Sequence, residues 1–251
     1  MAGRLLVSPS ELFGDGVFET VHVRSGRPWL LDEHLDRLAR SASLLDLELP
    51  PRAEILARVA AAEMPAAAEG ALRILCTREA LYVTVSEIPS AALRERRSGV
   101  RVISADVGHE LGRRPAWTLA GAKSLSYGPH FAARRWARHR GADDLLWVSL
   151  DGYAVESPTA SLVWLADGQL CTVPPDEADI LPGTTAARLL TLAPALGLTA
   201  ASRLIRLADL HQAEAIWLAS SLRGLAEVVA LDGVQRARSA WTSRLLTALG
   251  Y

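Results

Sequence analysis

Residues 14–45 read GDGVFETVHVRSGRPWLLDEHLDRLARSASLL, and two different periods follow one another along them. Over 17–23 apolar and polar side chains alternate, the pattern of a strand with one buried face. From there Leu31, Leu35, Leu38, Ala42 and Leu45 keep to one face of a helix, and Asp32 and Glu33 suit its first turn. Pro50 and Pro51 close that helix and open another over 52–63. Strand patterns recur at 72–76, 81–85 and 100–104, then at 145–149, 161–165, 215–219 and 226–231. Helical patterns cover 129–140, ended by Gly141, then 184–196, introduced by Pro182 and Gly183, and 239–249. The alanine-rich stretch 60–71 reads as a helix end and loop. This order predicts an α+β fold with two layers or two domains, not a regular parallel βαβ alternation. The best linker candidate is 113–121, flanked by Gly112 and carrying Pro115 and Gly121.

Composition narrows the function classes. Half of the 251 residues are apolar and 22% are charged, a folding composition. A net charge of -1 gives no general electrostatic reason to bind nucleic acid or an anionic membrane. Cys76 and Cys171 are too few for a disulfide framework or a zinc cage. No apolar stretch reaches membrane-span length, and MAGRLLVSPS lacks the apolar region of a signal peptide. His22, His34, His109, His130, His139 and His211 show no paired ligand spacing, so no metal is expected. The expectation is a soluble, reduced, cytoplasmic protein.

Of the 27 basic side chains only one, Lys123, is a lysine. An amine that condenses with a carbonyl must first lose its proton, which a guanidinium cannot do in a protein. Lys123 is either a survivor of a compositional bias or a position where arginine fails. Its surroundings, AGAKSLSYG, are small and apolar, which favours a desolvated, reactive amine. Glu156, in VESPTASLVW after the Asp151-Gly152 turn, is a solvated strand end or a carboxylate that keeps a pyridine nitrogen protonated. LPGTTAARLL carries Thr184 and Thr185 into a helix, as ordinary caps or as an anion site. ASSLRG offers Ser220, Ser221 and Arg223 in a turn suited to phosphate or carboxylate. Arg37 lies beside the apolar stripe of its helix, either snorkelling or paired with an anion. Together these are an amine, a carboxylate, two phosphate-type loops and an arginine.

In order and spacing, residues 14–45, AGAKSLSYG, VESPTASLVW, LPGTTAARLL and ASSLRGLAEVVALDG resemble the fold type IV pyridoxal-phosphate enzymes. That family includes branched-chain and D-amino acid aminotransferases and 4-amino-4-deoxychorismate lyases, and the chain looks most like the lyases. The resemblance implies a two-domain, D-amino acid aminotransferase-like architecture: a small amino-terminal α/β domain over 1–112, a linker over 113–122 and a larger carboxy-terminal α/β domain over 123–251. It also implies a homodimer and pyridoxal 5'-phosphate as cofactor. By position it makes Lys123 the Schiff-base and proton-shuttling residue and Glu156 the pyridine partner. Arg37, Thr184, Thr185, Ser220 and Ser221 would hold the phosphate. Tyr127 would touch the ring hydroxyl or the substrate. A small anionic amine substrate needs cations, for which Arg223, Arg78, Arg24 and His22 are the candidates. Three positions depart from the family pattern: Ser8–Glu11 replace its Asp-Arg-Gly, Ser161 its asparagine, and Glu79 a glycine. The implied reaction is the lyase reaction giving 4-aminobenzoate and pyruvate in folate biosynthesis. A branched-chain or D-amino acid aminotransferase is the alternative, and a non-catalytic metabolite-binding homologue is the third reading.

Overall fold

Alternation at the start of the chain becomes the nine-residue strand Gly16–Arg24 in the computed structural model, which describes residues 8–64, 69–115 and 117–251. This strand lies antiparallel between Arg27–Pro28 and Glu69–Thr77, and Leu81–Ser86 completes a four-stranded sheet. Val17, Val21 and Val23 share one face of it, and that face buries the apolar stripe of the Leu31–Leu44 helix through Leu35, Leu38 and Ala42. The Arg52–Ala61 helix adds Ile55 and Val59 to the same core. The expected helix end and loop over 60–71 lies in part outside the described residues, as does most of the amino-terminal decapeptide.

A second, mixed sheet has eleven strands among the described residues. At its centre Ala160–Ala166, Ala215–Ser220 and Gly224–Leu231 pair antiparallel in that order. Gly224–Leu231 continues in parallel to Val100–Asp106, and that strand in parallel to Asp144–Val148. Trp164, Leu162, Leu218 and Leu146 are fully buried in its main core. Its longer helices are Ser90–Ser98, Gly128–His139, Thr184–Leu192 and Trp241–Ala248. The expected helix over 184–196 turns 3-10 at Ala193–Leu196, where Pro194 cannot donate to the α-helical ladder.

Two compact units result. One comprises the chain up to Ile88 together with Leu119–Gly128, the other Pro89–Thr118 and Pro129–Tyr251. The boundaries 1–112 and 123–251 therefore shift. Val100–Asp106 belongs to the second unit because its ladder partners are Gly224–Leu231 and Asp144–Val148. Lys123 belongs to the first, because the segment around it pairs with Gly16–Phe18. No helix among the described residues is long and apolar enough to cross a membrane.

Candidate active site

In the first unit Lys123 is fixed at its backbone. Its N–H donates to Ser41 Oγ at 3.0 Å, and its carbonyl accepts from the Phe18 N–H at 2.9 Å. Leu125 N–H donates to the Gly16 carbonyl, so the segment runs as a short antiparallel extension of the sheet. The Lys123 Nζ lies 4.5 Å from the centre of the Phe18 ring and 5.5 Å from that of Tyr127. Those two rings meet edge to face at 5.1 Å. The amine thus projects against two aromatic faces, with Tyr127 beside it.

Beneath this amine the valine row of Gly16–Arg24 is broken by Glu19, wholly buried on the helix-facing side. Arg37 meets it with a two-pronged grip, Nε to Oε1 at 2.8 Å and Nη2 to Oε2 at 2.7 Å. His34, one turn earlier, places Nδ1 2.6 Å from Oε2. Burial alone would raise the Glu19 pKa; the charge and hydrogen bonds of Arg37, aided by His34, overcome it and hold the carboxyl at about 2. Burial pushes His34 down, against the pull of Glu19, and the positive charges of Arg37 and Lys123 push the same way. His34 is therefore neutral at pH 7, and its Nδ1–H donates to Glu19. The anion that a core arginine requires is present, and it is Glu19. Sequence reading missed Glu19 and His34, although both signals were in the chain. Glu19 falls in phase with Val17 and Val21, and His34 stands three residues before Arg37.

In the second unit Glu156 sits on the two-residue strand Glu156–Ser157, opposite Ser161. Next to Ser161 in space is Gly183, the residue that starts the Thr184–Leu192 helix. A methyl group on Gly183 would run into the Ser161 hydroxyl, which would have to turn away to admit it. The helix start has no side-chain cap, and its first backbone N–H groups have no partner within the helix. The buried Thr185 Oγ1 likewise has no hydrogen-bond partner. A buried hydroxyl without a partner costs about 1–3 kcal/mol. Beside the uncapped helix start, this donor set fits a phosphate monoester.

Ser220 ends one strand and Ser221 begins the three-residue turn to Gly224, whose φ of 62° is a left-handed conformation that glycine takes without strain. Arg114, inside the expected linker, is a residue the sequence reading passed over. Its Nε donates to His109 Nε2 at 2.9 Å and its Nη1 to the Asp179 carbonyl at 2.8 Å. Burial lowers its pKa, while Glu156 and Asp179 act in the opposite direction, which places positive charge beside Glu156.

The four cations expected to meet substrate carboxylates fare differently. Arg223 is buried, and Nη1, Nη2 and Nε donate to Asp144, Thr159 and Ser220. A guanidinium committed on three sides holds protein together, so Arg223 leaves the substrate list. Arg78 is half exposed and bonds Asp15 and the carbonyls of Leu45 and Asp46. Arg24 stacks on Trp29 at 4.0 Å and donates to His22 Nδ1, while His22 Nε2 lies 2.8 Å from Glu69.

Comparison with known proteins accords with this arrangement. The profile of the amino-transferase class IV family matches residues 16–231. The chain is 40% identical to the bifunctional aminodeoxychorismate lyase / D-amino acid transaminase of Mycobacterium tuberculosis, over 88% of this chain and 83% of that protein. A hypothetical aminotransferase from Mycobacterium tuberculosis, solved in a PLP-bound form, superposes with a TM-score of 0.91 at 36% identity, covering 100% of this chain and 94% of that one. It has also been solved in an alpha-ketoglutarate and PMP bound form. A fold IV-transaminase from Curtobacterium pusillum gives a TM-score of 0.86 at 38% identity, over 99% of this chain and 89% of that one.

Proposed function

The chain belongs to the class IV aminotransferase family and is a pyridoxal-phosphate enzyme, and from that premise we propose that it is a 4-amino-4-deoxychorismate lyase, releasing 4-aminobenzoate and pyruvate. The observation that carries the reading is the 40% identity with a bifunctional lyase and D-amino acid transaminase over most of both chains. The lone lysine held between Ser41, Phe18 and Tyr127 supports the same chemistry.

Bound pyridoxal phosphate supplies an aldehyde that condenses with a primary amine and a ring that delocalises the electron pair left when a neighbouring proton departs. Lys123 provides the resident amine. As the free base, its Nζ would take the proton from the ring carbon bearing the substrate nitrogen. Glu156 would keep a pyridine nitrogen protonated. The start of the Thr184–Leu192 helix, Thr185 Oγ1 and the Ser220–Ser221 turn would hold the phosphate; Arg37, expected there from the resemblance, is committed to Glu19. Loss of the ring proton and cleavage of the carbon–oxygen bond to the enolpyruvyl group leave an aromatic amine. Lys123 then returns a proton to the enolpyruvate, which becomes pyruvate. No oxidant and no amino acceptor enters the balance.

A second reading, D-amino acid transamination, is favoured by the double name of the same relative and by the 2-oxo acid in its structural neighbour. Both activities use the same lysine, glutamate and phosphate cup. We further propose a homodimer, supported by the exposed apolar side chains of Leu12 and Phe13 in the first unit; the molar mass from light scattering tests it, and the 27.0 kDa of a single chain would overturn it.

The deciding experiment gives purified holoenzyme aminodeoxychorismate without a keto acid. Release of pyruvate and fluorescent 4-aminobenzoate is expected. Turnover that requires a 2-oxo acid and yields no 4-aminobenzoate overturns the lyase assignment and leaves the transaminase.

A further inference from the structure

Arg223 stands where two parts of the proposed cofactor site come together. Successive strand residues point to opposite faces, so on Glu156–Ser157 the serine is turned away from the side that Glu156 presents. Ser157 Oγ donates to Asp144 Oδ1 at 3.0 Å. The other oxygen of Asp144 accepts from Arg223 Nη1 at 2.8 Å. Arg223 Nη2 reaches Thr159 Oγ1 at 2.9 Å, in the turn that follows Ser157, and Nε reaches Ser220 Oγ at 3.3 Å. One planar group, borne by the turn after Ser220, therefore bonds Ser220 and Thr159 directly and reaches Ser157, the neighbour of Glu156, through Asp144.

The turn is braced from its other side. Arg96 Nη2 donates to the Leu222 carbonyl at 2.6 Å and its Nε to the Arg223 carbonyl at 3.2 Å. The Tyr251 hydroxyl donates to the Ser221 carbonyl, and its ring lies against Gly224 with Arg96 stacked on it at 4.3 Å. Asp144 is wholly buried, and Glu95 and Arg134 complete a two-plus, two-minus cluster.

Such a cluster is weak as a source of stability. Well-packed apolar side chains of similar volume do as well or better, because desolvating ions offsets their attraction. What apolar packing cannot supply is direction. A guanidinium offers donors in a rigid fork, and this one uses three of its edges on three different segments.

We propose that Arg223, acting through Asp144 and Ser157, is a positioning residue that sets the separation between Glu156 and the Ser220–Ser221 turn. A cofactor seated by its phosphate in that turn then meets Glu156 at its ring nitrogen. The inference rests on the reading that Glu156 and Ser220–Ser221 contact the cofactor. It assigns Arg223 a part in placing the cofactor while removing it from contact with substrate.

The test compares Ser157→Ala, Ser157→Thr, Arg223→Lys and Glu156→Gln holoenzymes with the parent. The readouts are the pyridoxal-phosphate dissociation constant, the pH midpoint of the visible absorbance band, and the unfolding midpoint of the apo form. Ser157→Ala cuts the tie to Glu156 while leaving the ion cluster whole, so it keeps the test open if Arg223→Lys does not fold. The expected result is about a tenfold weaker cofactor affinity and a band midpoint moved by about half a pH unit. The apo Ser157→Ala protein should stay folded with its midpoint lowered by roughly 2–8 °C, and Ser157→Thr should restore both cofactor readouts. If Glu156→Gln moves the band while Ser157→Ala and Arg223→Lys change only apo stability, the cluster is structural and the positioning role is wrong. If Glu156→Gln leaves affinity and band unchanged, the reading of Glu156 fails, and the inference falls with it.

Discussion

Replacing Glu19 by glutamine keeps the shape of the side chain and removes its charge, leaving the buried Arg37 guanidinium without its anion. The Glu19 carboxyl is held at about 2 against an ordinary value of 4.5. At about 1.4 kcal/mol per unit, that difference corresponds to roughly 3 kcal/mol of folding stability at neutral pH. Removing one partner of a buried pair costs about 3–5 kcal/mol in general, so the two routes agree. For a chain of this length the unfolding midpoint should fall by about 10 °C. The sign with pH follows from the direction of each shift. Glu19, lowered on folding, contributes fully above pH 4.5, and its contribution is lost as pH falls towards 2. His34 is also lowered on folding, so its neutral form favours the native state above pH 6.5 and opposes it increasingly below that value. The assay is urea unfolding of parent and variant between pH 3 and 8, followed by circular dichroism. The parent should lose stability in two stages on acidification, and the Glu19→Gln variant should lack the lower one. The double variant Glu19→Gln/Arg37→Met should be less damaged than the sum of its single changes by more than about 1 kcal/mol. A Glu19→Gln protein within about 1 kcal/mol of the parent at pH 7 would refute a buried, ionised pair.

Lys123→Arg keeps the charge but cannot form the covalent bond to the cofactor; borohydride reduction followed by peptide mapping should label Lys123 in the parent and nothing in the variant. Gly183→Ala forces a methyl group into Ser161 and should cost about 1–3 kcal/mol with weaker cofactor binding; a second change, Ser161→Ala, should recover most of both in thermal melts. Thr242→Val removes the acceptor of the buried Trp217 Nε1–H, a 2.9 Å bond, and should cost about 1–3 kcal/mol in urea unfolding without moving the visible band. Cys76 is wholly buried and its thiol is pushed up to about 11 by desolvation, so iodoacetamide at pH 8 should label it only after unfolding.

Much of the architecture was legible because periodicity reports burial directly. The strand within 14–45 and the Leu31–Leu44 helix were readable from which residues repeat at two and at about three and a half. Lys123 stood out for a chemical reason, the one titratable amine among guanidinium groups. The hairpin before Glu156, the Pro-Gly entry to Thr184 and the serine turn after Ala219 were visible as local turn chemistry. Periodicity says that a position is buried, however, and not which polar group it meets there. Arg223 looked like a ligand for substrate because of the family resemblance and its place in a turn suited to phosphate or carboxylate. Asp144, 79 residues away, is what draws it inside. The placement of Val100–Asp106 was decided the same way, by parallel partners that come later in the chain. The sequence by itself determined most of the elements, the lone lysine and the family, because those depend on local pattern and on residue chemistry. Only the tertiary structure decided which charges pair, Glu19 with Arg37 and Asp144 with Arg223, because a buried ion takes its partner from whatever the packing of distant segments brings within 3 Å.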